Sequence, residues 1–268
     1  MPSGRTAGRP MASGTGPRSS AARRRHWESI YRTQGEESLS WHQEEPTLSF
    51  RLITGVSTKS DRVVDIGGGS SPLAERLRRA GYRRTVVLDI SPSALGRNRT
   101  RAGGPATGIR YRIGDLLALG SLGRFDLWHD RAVFHFLTSA EDRKRYVDLA
   151  ARTLPVGGHA IVATFSQNGP ERCSGLPVQR YDARGLAREF GPRFAVRTTR
   201  GERHRTPWNA VQPFSYFVLE RVRAGSVRDG SRATPRPPGP APSVGRGAGR
   251  GAAAGSEGGR RPIGTGSA

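Results

Sequence analysis

The sequence predicts an α/β fold: a doubly wound, mostly parallel seven-stranded sheet that ends in an antiparallel hairpin. Three observations predict it. Short, nearly continuous apolar runs recur through the middle of the chain, and helix-starting or turn residues follow them. The alternation repeats about every 25 residues, which is the rhythm of strand–helix units. After the fifth run it stops, and two strand-like runs follow with no long helix between them.

Arg62-Val63-Val64-Asp65-Ile66 is the first run and ends in Gly67-Gly68-Gly69. It reads as a buried strand entering a tight turn. Ser71 as N-cap and Pro72 at the first helical position then start a helix. Leu73, Leu77 and Ala80 share one face of it, and Gly81 ends it. Thr85 to Ile90 is the second strand, after which Ser91-Pro92 restarts a helix. Ile109 to Ile113 is the third, closed by Gly114-Asp115, and Phe125 to Trp128 begins the fourth. Tyr146 to Leu154 has helical periodicity, with Tyr146, Val147, Ala150 and Leu154 on one side. Gly157-Gly158 breaks that helix before the fifth strand, His159 to Phe165. Phe194–Thr199 and Phe214–Val222 should pair antiparallel at one edge. No internal repeat is visible.

Composition divides the 268 residues into three parts. Residues 1–25 and 224–268 are rich in Gly, Ala, Pro, Ser and Arg and lack the large apolar side chains that offset ordering entropy. They are expected to be disordered tails around a domain at 26–223. The net charge is +22, and half of it lies on those tails. Only Lys59 and Lys144 among the basic residues are Lys. Such Arg bias fits a GC-rich coding sequence, and no specific nucleic-acid partner is expected, although basic tails bind polyanions without specificity. One cysteine, Cys173, excludes a disulfide framework within the chain. Six scattered His without paired metal spacing predict no metal. No apolar run approaches the ~18 residues of a membrane span, and the N-terminus lacks the apolar core of a signal peptide. A soluble, cytoplasmic protein is the expectation.

In a doubly wound sheet, ligands bind beyond the C-terminal strand ends at the switch point. Four features meet there: Asp65 to Gly69, Asp89, Asp115 and the Gly157-Gly158 turn. Asp89 ends the second strand, where a carboxylate can accept both ribose hydroxyl protons. Asp115 ends the third, where it can accept from an exocyclic adenine amine. A dinucleotide fingerprint requires Gly-x-Gly-x-x-Gly. Gly67 and Gly69 fit it, but Pro72 occupies the last position, which argues against a dehydrogenase.

In this order and spacing the set resembles the class I S-adenosylmethionine-dependent methyltransferase family over about 26–223. Asp65-x-Gly67-x-Gly69 is similar to its first motif, Asp89 to its ribose-binding acid, and Gly114-Asp115-Leu116 to its adenine-contacting turn. Leu154-Pro155-Val156-Gly157-Gly158 resembles its Leu-Arg-Pro-Gly-Gly turn, with the Pro shifted by one place. Position 71, often a third Gly, is Ser. The resemblance implies a Rossmann-like sheet and S-adenosylmethionine held by Asp65, Gly67, Gly69, Asp89, Ile90, Asp115 and Leu116, with Asp65 near the amino-acid end. His26-Trp27-x-x-x-Tyr31 and Trp41-His42-Gln43-Glu44 are similar to the N-terminal segment of thiopurine methyltransferase-like enzymes, which implies that Trp27, Tyr31 and Trp41 cover the cofactor. Trp128-His129-Asp130-Arg131-Ala132 resembles their Trp-Asp-Arg-Gly segment, and a comparable segment occurs in some protein-lysine methyltransferases.

The expected function is therefore methyl transfer to a small molecule. A protein acceptor and a non-catalytic module that binds the cofactor remain as alternatives. No catalytic base is assigned. Asp130 and Arg131 are the candidates for a substrate-facing role, set against a structural ion pair. His129 and His135 are weaker candidates for a base. Cys173 reads as a small buried residue, and His204, Trp208 and Gln212 form a candidate substrate wall.

Overall fold

A computed structural model describes residues 16–104 and 108–223. The parallel strands are β1 (Arg62–Ile66), β2 (Arg84–Asp89), β3 (Arg110–Ile113), β4 (Leu127–Arg131) and β5 (His159–Phe165). Residues Arg172–Cys173 (β6) and Leu176–Pro177 (β7) make a separate small hairpin, and β8 (Phe194–Arg205) and β9 (Val211–Arg221) make a long one. The main sheet runs β3-β2-β1-β4-β5-β9-β8. Its first five strands are parallel, and β9 runs antiparallel to both β5 and β8. The helices are α1 (Ser20–Thr33), α2 (Thr47–Val56), α3 (Leu73–Arg79), α4 (Pro92–Arg101), α5 (Ala140–Thr153) and α6 (Ala183–Phe190).

Successive strand side chains point to opposite faces, and here both faces are covered. Val64, Trp128, Ala160, Val162 and Phe217 pack with Tyr146 and Ala150 of α5 and Phe190 of α6. Val63, Leu127, Ile161, Ala163 and Tyr216 pack on the other side with Ile53 of α2 and Leu73 and Leu77 of α3. Each large apolar side chain so buried stabilises the fold by ~1.5–3 kcal/mol. The two-sided cover explains the unbroken apolar runs.

The structure corrects several boundaries. The expected domain start at residue 26 falls inside α1, which begins at Ser20 with Ser19 Oγ accepting from Ala22 N. The expected tails otherwise lie at 1–15 and 224–268, outside the described residues. Strand β4 runs Leu127–Arg131, so it starts two residues later than Phe125 and takes in His129 and Asp130. The last two strands are longer than the apolar runs predict and bring His204 opposite Gln212. Pro72, rather than Ser71, holds the N-cap position of α3.

Candidate active site

The order of strands reverses between β1 and its neighbours β2 and β4, which is the switch point where a crevice opens. The turn after β1 requires glycine at two places. Gly67 and Gly69 both adopt positive φ, 60° and 50°. A Cβ on Gly69 would also collide with Tyr31 Oη, so the loop and α1 can close together only because that side chain is absent. Asn98 of α4 holds the loop from behind, donating through Nδ2 to Gly69 O at 3.1 Å and Ser71 O at 2.8 Å. Tyr111 Oη donates to the Asn98 oxygen at 3.0 Å and fixes the amide's orientation. Sequence reasoning missed Asn98, because nothing local marks a buried polar residue inside a helix.

Two chambers adjoin this turn. The first, about 890 Å³ with its open mouth, takes Asp89 and Ile90 from the tip of β2 and Asp115 and Leu116 from beyond β3. The second, about 530 Å³, takes Asp65, His129, Ser49 and Gln43. Tyr31, Trp41, Gly67 and Arg131 line both. Of the residues expected at the ligand end of the sheet, Gly69 and the Gly157-Gly158 turn line neither chamber: Gly69 lies beneath Tyr31, and the turn enters β5 at its N-terminal end, away from the strand tips that carry Asp65 and Asp89.

The aromatic segment forms the cover. Trp27 meets Phe136 edge-on at 4.9 Å and Trp41 at 6.0 Å, and Tyr31 meets Trp41 at 6.1 Å. Helix α1 is pinned to α4 at two places. Ser91 Oγ donates to the Glu28 carboxylate at 2.6 Å, and Arg97 donates to Tyr31 O and Gln34 O. Its first turns are tied elsewhere: Arg23 donates to Asp115 Oδ2 through Nη at 2.7 Å and Nε at 3.0 Å. The other Asp115 oxygen accepts from Leu117 N at 3.0 Å. Asp115 thus reaches the chamber with both oxygens engaged, and a ligand amine would share or displace these bonds.

Asp89 is buried and accepts from Ser91 N at 2.8 Å. Burial pushes its pKa up to about 6, against the opposing pull of backbone N–H groups including that of Gly69. Arg131 stands at the junction of the chambers. It donates to Tyr216 Oη at 2.9 Å and Trp41 O at 3.0 Å, lies 4.5 Å from the centre of the Phe214 ring, and approaches Glu202 at 3.5 Å.

The structure removes Asp130 from the candidates for catalysis. It is fully buried and lines neither chamber. Its oxygens accept from Val133 N at 2.8 Å, Phe134 N at 3.1 Å and Tyr146 Oη at 2.6 Å. It does not pair with Arg131. His135 is likewise buried, and burial together with the nearby charge of Arg131 pushes it down to about 3. Cys173 is buried as expected yet lines the first chamber, with burial pushing its thiol up. His204 and Gln212 line neither chamber, and Trp208 is 60% exposed between β8 and β9.

A sheet in this order, its reversed terminal hairpin and a glycine-floored crevice beside two strand-tip carboxylates define the Rossmann-like architecture of class I methyltransferases. Residues 63–158 match the family model described as a methyltransferase domain. Residues 63–158 therefore form a methyltransferase domain. It is 27% identical over 146 residues to the eEF1A lysine and N-terminal methyltransferase of Danio rerio, covering 53% of this chain and 21% of that one. It is 32% identical over 110 residues to the ubiquinone/menaquinone biosynthesis C-methyltransferase UbiE of Roseobacter denitrificans, covering 40% and 43%. The chain thus spans less than half the length of either relative. In fold it is similar to the N-methyltransferase NodS of Bradyrhizobium japonicum in complex with S-adenosyl-L-homocysteine, with a TM-score of 0.58 at 16% identity over 73% of this chain and 98% of that one.

Proposed function

We propose that the protein transfers the methyl group of S-adenosylmethionine to a small-molecule acceptor lodged in the first chamber beside Arg131. The observation that carries this reading is the aromatic cover over that open-mouthed chamber. Trp27, Trp41 and Phe136 roof it and Arg23 ties its far end to Asp115. A pocket so covered suits a compact ligand that can be surrounded.

The residues present fit the cofactor. Two positive-φ glycines let a ligand approach the backbone, Asp89 presents a carboxylate at the ribose position, and Asp65 retains a buried oxygen with no hydrogen-bond partner. When bound, S-adenosylmethionine supplies an electrophilic methyl on a sulfonium. The chain's own residues align and exclude water. Asp89 would receive the ribose hydroxyls, and Leu116 and Ile90 would flank the base. Trp27, Tyr31 and Trp41 would cover the sulfonium with ring faces that attract positive charge. Arg131 would orient the acceptor so that its nucleophile lies in line with the methyl. A cytoplasmic location belongs to the same proposal, in keeping with a single buried, free cysteine.

Incubation with methyl-labelled S-adenosylmethionine and cell extract tests it. Label in the small-molecule fraction is the expected result. Label confined to a protein band would replace the acceptor with a protein side chain. Absence of transfer by a preparation that binds S-adenosylhomocysteine would reduce the protein to a binding module.

A further inference from the structure

Asp65 and His129 stand side by side in register on the adjacent parallel strands β1 and β4. Their side chains point to the same face, and His129 Nδ1–H donates to Asp65 Oδ1 at 2.7 Å. The other ring nitrogen meets Ser49 Oγ of α2 at 2.9 Å. All three residues are almost wholly buried, and all three line the second chamber. The imidazole is therefore fixed at both nitrogens and cannot turn. A ring so fixed also fixes the plane of the carboxylate it grips.

The second Asp65 oxygen is the odd atom of this cluster. It is buried and has no hydrogen-bond partner. A carboxylate oxygen in that state is costly unless something supplies a donor. Asp65 lines a chamber that adjoins the one that holds Asp89, and its free oxygen lies against Gly68 of the glycine turn between them. On the cofactor reading above, which this inference rests on, the amino-acid end is the part of the ligand that extends away from the ribose.

We propose that His129, anchored by Ser49, is a positioning residue that aims the free oxygen of Asp65 at the ammonium group of the cofactor. Asp65 receives the charge, His129 sets the angle at which it is received, and Ser49 prevents the ring from swinging out. The role is distinct from catalysis, because His129 need not touch the reacting atoms.

Two ligands separate this role from simple support of the fold. S-adenosylhomocysteine carries the amino-acid end; 5′-methylthioadenosine keeps the adenosine and the thioether but lacks that end. Calorimetric titration of both into the full chain is the experiment. His129→Leu should weaken S-adenosylhomocysteine by about 10-fold or more, the loss expected for a misaimed charge-assisted bond. Binding of 5′-methylthioadenosine should change by less than about 2-fold, since it makes no contact with Asp65. His129→Asn, whose amide nitrogen can stand near Nδ1 and donate to Asp65, should restore most of the difference. If the Leu variant does not fold, Ser49→Ala carries the test, with a smaller loss restricted to S-adenosylhomocysteine. Equal weakening of both ligands, or no weakening of either, overturns the positioning role while leaving the cofactor reading intact. A wild-type protein that binds neither ligand overturns both.

Discussion

Arg23 and Asp115 form an ion pair that joins the start of α1 to the tip of β3 across 92 positions of sequence. Their side chains are only 18% and 7% exposed. Both residues line one end of the first chamber, the end that the proposed reading gives to the adenine base. The rest of α1 is held independently by Glu28 and Arg97. The front of the helix is therefore the part of the cover able to open alone. Arg23→Gln should speed dissociation of S-adenosylhomocysteine by about 5-fold, corresponding to the ~1 kcal/mol of a partly buried pair. Molar salt should speed the wild type toward the same rate. Stopped-flow displacement measures both; an unchanged rate would show that α1 stays shut without this contact.

On the proposed reading, in which Asp89 receives the ribose, cofactor binding should depend on pH. Burial raises the Asp89 pKa from the ordinary 3.8 of an aspartate to about 6. Only the ionised carboxylate can accept both ribose hydroxyls, so affinity for S-adenosylhomocysteine should fall below about pH 6, approaching 10-fold per unit. Stability responds in the opposite sense. Between 3.8 and about 6 the folded protein holds a proton that the unfolded chain has released. The group thus favours the fold at the acid end, and that contribution is lost as pH rises through about 6. Titrations from pH 5 to 8, a range set by the usual carboxylate and His values, should show the loss of affinity in the wild type. Asp89→Asn should show weak binding with a flat profile.

Much of this site is legible in the sequence because its parts are local. A glycine turn after an apolar run and a carboxylate at the next strand's end need no knowledge of distant partners. Residues whose roles depend on distant contacts are misread. The polar run His129, Asp130 and Arg131 hides how far the strand begun by Phe125 to Trp128 continues, because β4 is central and buries His129 and Asp130. His129 is satisfied from β1 and α2, 64 and 80 positions away, and Asp130 from α5. Arg23 lies in an acid-free stretch that resembles a tail, and the acid that orders it is Asp115. Burial against α1 also cannot be foreseen at Gly69, where the constraint is Tyr31 rather than the ligand chamber.

Asp130 should behave as a structural residue. Its carboxylate gathers Val133 N, Phe134 N and Tyr146 Oη, and Tyr146 Oη in turn accepts from Trp128 Nε1 at 2.8 Å. Asp130→Ala leaves several buried groups unpaired and should cost about 2–4 kcal/mol, lowering Tm by about 10 °C for a domain of this size. Asp130→Asn keeps one acceptor for the loop and turns an amide toward Tyr146 Oη, so it should cost less. Thermal unfolding of both variants checks this, alongside turnover per folded molecule once an acceptor is known. A stable Asn variant without turnover would return Asp130 to the reaction.

Ala132 carries the clearest backbone strain beside the crevice. Its φ is 72°, in the left-handed region that costs a residue with a Cβ ~1–2 kcal/mol. The position is held there because Ala132 N donates to Ala163 O at 2.9 Å while Asp130 draws in the next two amides. The turn points Arg131 and Val133 toward the first chamber, which both line. Ala132→Gly removes the Cβ conflict but gives the unfolded chain more freedom, which offsets ~0.5–1 kcal/mol of the gain. The balance should be a net stabilisation of about 0.5–1 kcal/mol, seen as a rise in Tm of ~2–3 °C. Ala132→Val should lose more than about 2 kcal/mol, because a β-branched side chain tolerates positive φ poorly. If Gly instead lowers Tm, the Ala132 methyl contributes more to packing against the core it touches than its backbone costs.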